Sequence, residues 1–210
     1  MNTKTIRTMS GAAATPSLNA KETAVIVVDI QYEYYAHDGE TQPKMVIPDG
    51  MAVLNNSKKI VEFARKNHMP VFFVGHVGPA DGPLFQEGGR NSAFHDDLLP
   101  NEGEAVIMKA TPSSFVGTDL DAQLKAAGIK QLIVIGLMSH MCISSTARDA
   151  VPLGYAVLIP DDATATRDLE SWDGSVVDHK TLHRSALSGV ADVFAEITLT
   201  DRLLKMPVTA

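Results

Sequence analysis

Cysteine is almost absent from this chain: Cys142 is the only one in 210 residues. An intrachain disulfide is therefore excluded, and the thiol is left with packing, redox chemistry or nucleophilic catalysis. Positive charge is also scarce, with 18 Lys and Arg against 25 Asp and Glu and a net charge of −7. That balance disfavours nucleic acid or an anionic membrane as the main partner. No apolar run approaches the roughly 20 residues that span a bilayer. The first 20 residues carry Lys4 and Arg7 but no apolar stretch of a secretory signal. Their small, polar composition reads as a flexible arm, or one that packs on a neighbouring subunit, ahead of a single domain over 21–210. A reduced thiol without an export signal leads to the expectation of a cytoplasmic protein. Also missing are Gly-x-Gly-x-x-Gly and a phosphate-loop lysine motif, so no nucleotide cofactor is expected.

What is present is an alternation of buried-strand and helix signals. Near-continuous apolar runs predict strands over 24–30, 70–76, 105–109, 131–136 and 155–160, with a closing strand over 197–199. Helical spacing predicts helices over 49–68, capped by Asp49, then 118–127, 142–153 and 178–195. Residues 78–100 form a long, glycine- and proline-rich excursion of the kind that covers a site. Strands that are apolar on both faces and alternate with helices imply a parallel sheet covered on both sides. The expected fold is α/β: a doubly wound, Rossmann-like sheet of five to six strands, which binds ligands beyond the strands' carboxyl ends.

Three ionisable residues fall at that edge. Asp29 ends the first strand, Lys109 ends the third, and Cys142 follows the fourth. An aspartate can accept a thiol proton, and an ammonium can stabilise the thiolate. Single charges buried after such apolar stretches are costly, so Asp29 and Lys109 are expected to pair. Cys142 is expected in the first turn of a helix, whose dipole favours thiolate.

The motifs around these residues are Asp29-Ile30-Gln31; Lys109 followed by Ser113-Ser114-Phe115 and Gly117-Thr118; and Gly136-Leu-Met-Ser139-His-Met-Cys142. The stretch Ala-Thr-Ala-Thr-Arg-Asp-Leu follows over 163–169. In their order and spacing they resemble the isochorismatase-like cysteine hydrolases across roughly residues 22–200. The resemblance implies a Cys142–Asp29–Lys109 triad, a cis peptide between Leu137 and Met138, and an oxyanion hole made by the backbone N–H groups of Met138 and Cys142. It also implies a homo-oligomer, dimer or tetramer. The implied reaction is cleavage of a C–N bond in a small amide, ureide or lactam through a thioester, with no cofactor.

Two other readings compete. Isochorismatase itself cleaves a vinyl ether by protonation, which needs the aspartic acid but no thiol. A non-catalytic thiol redox sensor on the same fold would use Cys142 alone. Metal binding in the nicotinamidase branch uses an Asp-x-His arrangement that the segment after Asp49 lacks, so no metal is expected. His179 and His183 share one helix face, read here as solvated. For the pocket walls the candidates are Gln31, Tyr34, Tyr35, His76, Phe115, His140 and Trp172. Trp172 is alternatively a subunit contact, and Arg90 either binds a substrate carboxylate or is solvated.

Overall fold

In the computed structural model, which describes residues 3–39 and 42–210, six parallel strands form the core of the sheet. They are β1 (Thr23–Val28), β2 (Val71–His76), β3 (Ala105–Lys109), β4 (Gln131–Leu137), β5 (Ala156–Pro160) and β6 (Glu196–Thr198). Their spatial order is β3-β2-β1-β4-β5-β6, and a two-residue strand, Thr164–Ala165, pairs with the end of β4. Every pairing among the six is parallel. This is the Rossmann-like arrangement that the alternating pattern predicts. The order reverses between β1 and β4, so the crevice at their carboxyl ends is the natural ligand position.

Central strand β1 shows why the apolar runs are unbroken. All six of its residues are buried. Val25 and Val27 join one core with Val53, Leu54, Ile60 and Val61 of helix α1 (Gly50–Lys66). Ala24, Ile26 and Val28 join the opposite core, built with α2 (Leu120–Ala126), α3 (Ser144–Ala150) and α4 (His179–Ala191). From Ala24 onward the strand is apolar on both faces, and its one polar side chain, Thr23 at the start, donates to Gln131 Oε1 at 3.2 Å.

Several local expectations are corrected. Asp49 stands at the N-cap of α1 but makes no capping bond with its side chain. Its carboxylate is turned instead towards His179 Nε2, 3.7 Å away. The segment before β1 is tied to the chain's own body at several points, with residues 8–14 between them exposed. Ile6 N–H donates to Asp192 Oδ1 at 2.8 Å, and Thr15 N–H donates to Glu196 Oε2 at 2.7 Å. Leu18 is fully buried, and Leu18–Asn19 pairs with Val208–Thr209.

At Gly136, β1 and β4 leave room only for glycine. Its φ is +116°, and an added Cβ would run into the backbone carbonyl of Val28, its register partner. Gly136→Ala is expected to destabilise the protein by about 3 kcal/mol or more. Urea unfolding of the variant checks this, and a loss under about 1 kcal/mol would contradict it.

Candidate active site

Asp29 is the residue at which β1 stops. Its N–H still donates to Val74 O at 2.8 Å, but its φ of +53° takes the chain out of the strand. Aspartate tolerates this left-handed region better than most side chains. Lys109 closes β3 in register with His76, which closes β2. Cys142 comes from the segment after β4, beyond a cis peptide between Leu137 and Met138. Three strands thus deliver three side chains to one edge.

They meet there. Lys109 Nζ donates to Asp29 Oδ2 at 2.8 Å and to Cys142 Sγ at 3.4 Å. Its remaining contacts are Thr111 O at 3.1 Å and His76 Nδ1 at 3.4 Å. The three residues are 0 %, 2 % and 5 % exposed for Asp29, Lys109 and Cys142. A charge pair this dry holds only because each charge has the other, together with further hydrogen bonds.

Burial pushes the Asp29 carboxyl up from the ordinary carboxylate value, against the opposing pull of Lys109, a hydrogen bond from the Cys142 thiol, and His76. Asp29 Oδ1 nevertheless has no hydrogen bond of full geometry. The contact with the thiol is therefore loose, and Oδ1 remains the open acceptor. Burial also pushes the thiol of Cys142 far up, and the Asp29 charge adds to that more than Lys109 relieves. The expected position in the first turn of an α-helix is corrected: Ser139–Ile143 is a π-helical turn, and α3 begins only at Ser144.

The other candidates are placed as follows. His76 is half-buried, and burial followed by the Lys109 charge lowers its pKa, so its imidazole is neutral. Because an ammonium only donates, His76 Nδ1 faces Lys109 as an acceptor, and the ring proton sits on Nε2. Gln31 is fully buried with its amide consumed by backbone: His76 N–H, His76 O and Ser92 O. Tyr35 is buried against His95 and leaves its hydroxyl without a partner. Phe115 stacks on Tyr155 with ring centres 5.9 Å apart. His140 Nδ1 bonds Thr166 Oγ1 at 2.6 Å, and burial lowers its pKa.

Trp172 forms no wall within one chain. It is 96 % exposed, because its loop folds into a hairpin, Leu169–Glu170 against Val176–Val177, that carries the indole outward. Arg90 is tied to Asp96 at 2.8 Å and lies 3.7 Å over the Tyr32 ring. His179 and His183 are not solvated: each bonds a carboxylate, Asp168 at 2.7 Å and Asp161 at 2.6 Å. They line a cavity of about 280 Å³ with Asp49, Asn56 and Thr166, to which Asp29, Lys109 and Cys142 do not contribute.

Sequence reasoning missed three features. Phe85, at φ +48°, packs between Tyr34 and His76 at ring distances of 5.3 and 4.9 Å. Buried Glu33 ties the excursion down, accepting from Lys44 N–H at 2.7 Å, Phe85 N–H at 3.2 Å and Asn91 Nδ2 at 3.1 Å. Arg167 has a buried Nε without a partner, and its charge is felt at Tyr34 and His140. An acidic residue two positions from Gln31 in an otherwise apolar stretch was the available signal for Glu33. For Phe85 no local signal exists.

The isochorismatase domain matches residues 23–201 of this chain. The chain belongs to the isochorismatase-like hydrolase family. It is 34 % identical over 184 residues to the isochorismatase family protein YddQ of Bacillus subtilis, covering 87 % of this chain and 99 % of the relative. It is 33 % identical to the secreted isochorismatase effector Isc1 of Verticillium dahliae, over 85 % and 88 %. The crystal structure of an isochorismatase from Pseudomonas putida superposes with a TM-score of 0.85 at 32 % identity, covering 96 % of this chain and all (100 %) of that one. Family members named for C–N hydrolysis also match: nicotinamidase 3 of Arabidopsis thaliana at 29 % over 88 % of both chains, and the ureidoacrylate amidohydrolase of Agrobacterium fabrum at 28 % over 70 % and 78 %. No helix among the described residues is long and apolar enough to cross a membrane.

Proposed function

We propose that this isochorismatase-family protein hydrolyses a C–N bond of a small amide, ureide or lactam through a thioester on Cys142. The observation that carries the reading is Lys109 Nζ, which reaches both Asp29 Oδ2 and Cys142 Sγ in a cluster closed to water. Asp29 Oδ1 takes the thiol proton as Sγ bonds to the carbonyl carbon. The N–H groups of Met138 and Cys142 hold the oxyanion. As the tetrahedral adduct collapses, the C–N bond breaks and Asp29 returns the proton to the departing nitrogen. Water, activated by Asp29, then cleaves the thioester and frees the thiol. Lys109 stays cationic and keeps Asp29 ionised between steps.

The names of the amidohydrolase relatives support this class of reaction, while the Isc1 name supports the vinyl-ether alternative. Cys142 itself favours the amide reaction, since protonation of an ether needs no thiol. A peroxide sensor would need a thiol of low pKa, and burial raises that of Cys142. Nor would a sensor need Asp29 and Lys109 as a proton shuttle beside the thiol. A homo-oligomer belongs to the same reading, supported by the apolar surface of Trp172 and Val176, 96 % and 68 % exposed.

The test is a panel of small amides, ureides and lactams assayed for ammonia or amine release, with Cys142→Ala protein as the blank. Release by the wild type alone supports the proposal. No release from any member, alongside turnover of isochorismate, would overturn it.

A further inference from the structure

The nucleophile turn is braced from outside by a histidine that the mechanism above does not use. His183 projects from α4 and bonds Ser139 Oγ through Nδ1 at 3.0 Å and Asp161 Oδ1 through Nε2 at 2.6 Å. Ser139 is fully buried and is the first residue of the π-helical turn that carries Cys142. It directly follows Met138, the other expected oxyanion donor.

The Asp161 carboxylate can only accept, so His183 carries a proton on Nε2. The other ring nitrogen bonds the Ser139 hydroxyl, and the start of the turn is held against α4. A parallel strut, His140 Nδ1 with Thr166 Oγ1 at 2.6 Å, ties the second residue of the turn to the segment after the Thr164–Ala165 strand.

We infer that Asp161 and His183 are positioning residues that act through Ser139 to aim the backbone N–H groups of the turn at the developing oxyanion. The inference rests on the thioester reading of Cys142. It goes beyond it by assigning oxyanion geometry to a Ser139–His183–Asp161 relay that touches neither substrate nor thiol. A misplacement on the order of 1 Å in such donors costs about a hundredfold in rate.

Two reactions of the same thiol separate positioning from mere structure. Acetylation of Cys142 by p-nitrophenyl acetate passes through an oxyanion: the C–S bond forms, p-nitrophenolate leaves, and the thiol proton goes to Asp29. Alkylation by iodoacetamide displaces iodide at a tetrahedral carbon and develops no oxyanion. For His183→Leu and Ser139→Ala, acetylation is expected to slow roughly tenfold to a hundredfold while alkylation stays within about twofold. The double variant should be no slower than either single one, because both remove the same strut. Ser139→Thr, which keeps the hydroxyl, should restore most of the rate.

Equal losses in both reactions, or no loss in either, would overturn the inference, as would additive single and double effects. Wild-type protein that alkylates at Cys142 but never acetylates there would instead sink the thioester reading itself. Near-UV circular dichroism selects conditions in which each variant is fully folded, because an unfolded chain would alkylate at its exposed thiol and distort the comparison.

Discussion

Cys142→Ala protein is expected to lose at least about ten thousandfold in kcat while remaining folded. In the proposed thioester route the thiol is the atom that bonds to substrate, and nothing else in the cluster can replace it, so the loss is large. Asp29 and Lys109 would remain, but water placed beside Asp29 lacks both the nucleophilicity of sulfur and its fixed position. Stability should change little. Removing one buried sulfur leaves a small cavity worth about 1–2 kcal/mol, well under the total stability of a domain this size. Asp29→Asn would also abolish turnover, yet it cannot tell amide from vinyl-ether chemistry, since both need the acid. Cys142→Ala can. Retained turnover of any substrate in this variant, measured with circular dichroism to confirm the fold, would assign the reaction to proton transfer from Asp29. Intact-protein mass spectrometry adds a positive signature. Wild type quenched during turnover should carry the acyl mass on the peptide holding Cys142, and the variant should carry none.

The sheet and the meeting of Asp29, Lys109 and Cys142 at its edge were legible in the sequence because both follow from a repeating geometry. A strand such as β1, buried on both faces, has to read as an unbroken apolar run. The first polar residue after it, Asp29, has to sit at the carboxyl edge. Lys109 ends the apolar run of β3, although that edge strand leaves Val106 and Met108 exposed, and the order of the strands then brought Asp29, Lys109 and Cys142 together. What could not be read was set by contacts between distant segments. The expected helix from Cys142 begins as a π-helical turn, and one bond that holds it comes from His183, 44 residues from Ser139. The pKa of the thiol depends on how deeply that turn is packed, which no local pattern encodes. His183 itself read as solvated because an i, i+4 histidine pair looks the same whether or not carboxylates cover it. The arm over residues 5–20 read as loose for a similar reason. Its small polar residues carry no apolar stripe, and its attachments are backbone donors meeting Asp192 and Glu196.

Breaking the buried ion pair from the lysine side is expected to leave a pH signature that breaking it from the aspartate side lacks. Asp29→Asn leaves the Lys109 ammonium with only Thr111 O, the thiol and His76 Nδ1 as neighbours. Removal of one partner from such a pair costs about 3–5 kcal/mol. Asparagine accepts the left-handed backbone at this position, so the loss is electrostatic rather than conformational. Lys109→Met takes away the largest influence that lowers the Asp29 pKa, so that pKa rises further above its already raised value. A carboxyl whose folded pKa exceeds its unfolded one binds protons more tightly when native. Stability therefore falls as pH rises from the unfolded pKa, about 3.9, through the folded pKa, and is level above it. In Lys109→Met that falling window extends upward, so the variant should be more stable in urea at about pH 5 than at about pH 8. Asp29→Asn has no carboxyl to titrate and should gain nothing from acid at this site. Combining the two substitutions removes both charges, and the double variant should recover about 2–3 kcal/mol relative to the sum of the singles. Activity follows the same carboxyl. The acid limb of kcat/KM in the wild type should lie above the ordinary carboxylate range, and in Lys109→Met, where residual activity allows, it should move higher. A limb that stays in place, with additive urea midpoints in the double variant, would mean that Lys109 and Asp29 are not coupled in the way their 2.8 Å contact requires.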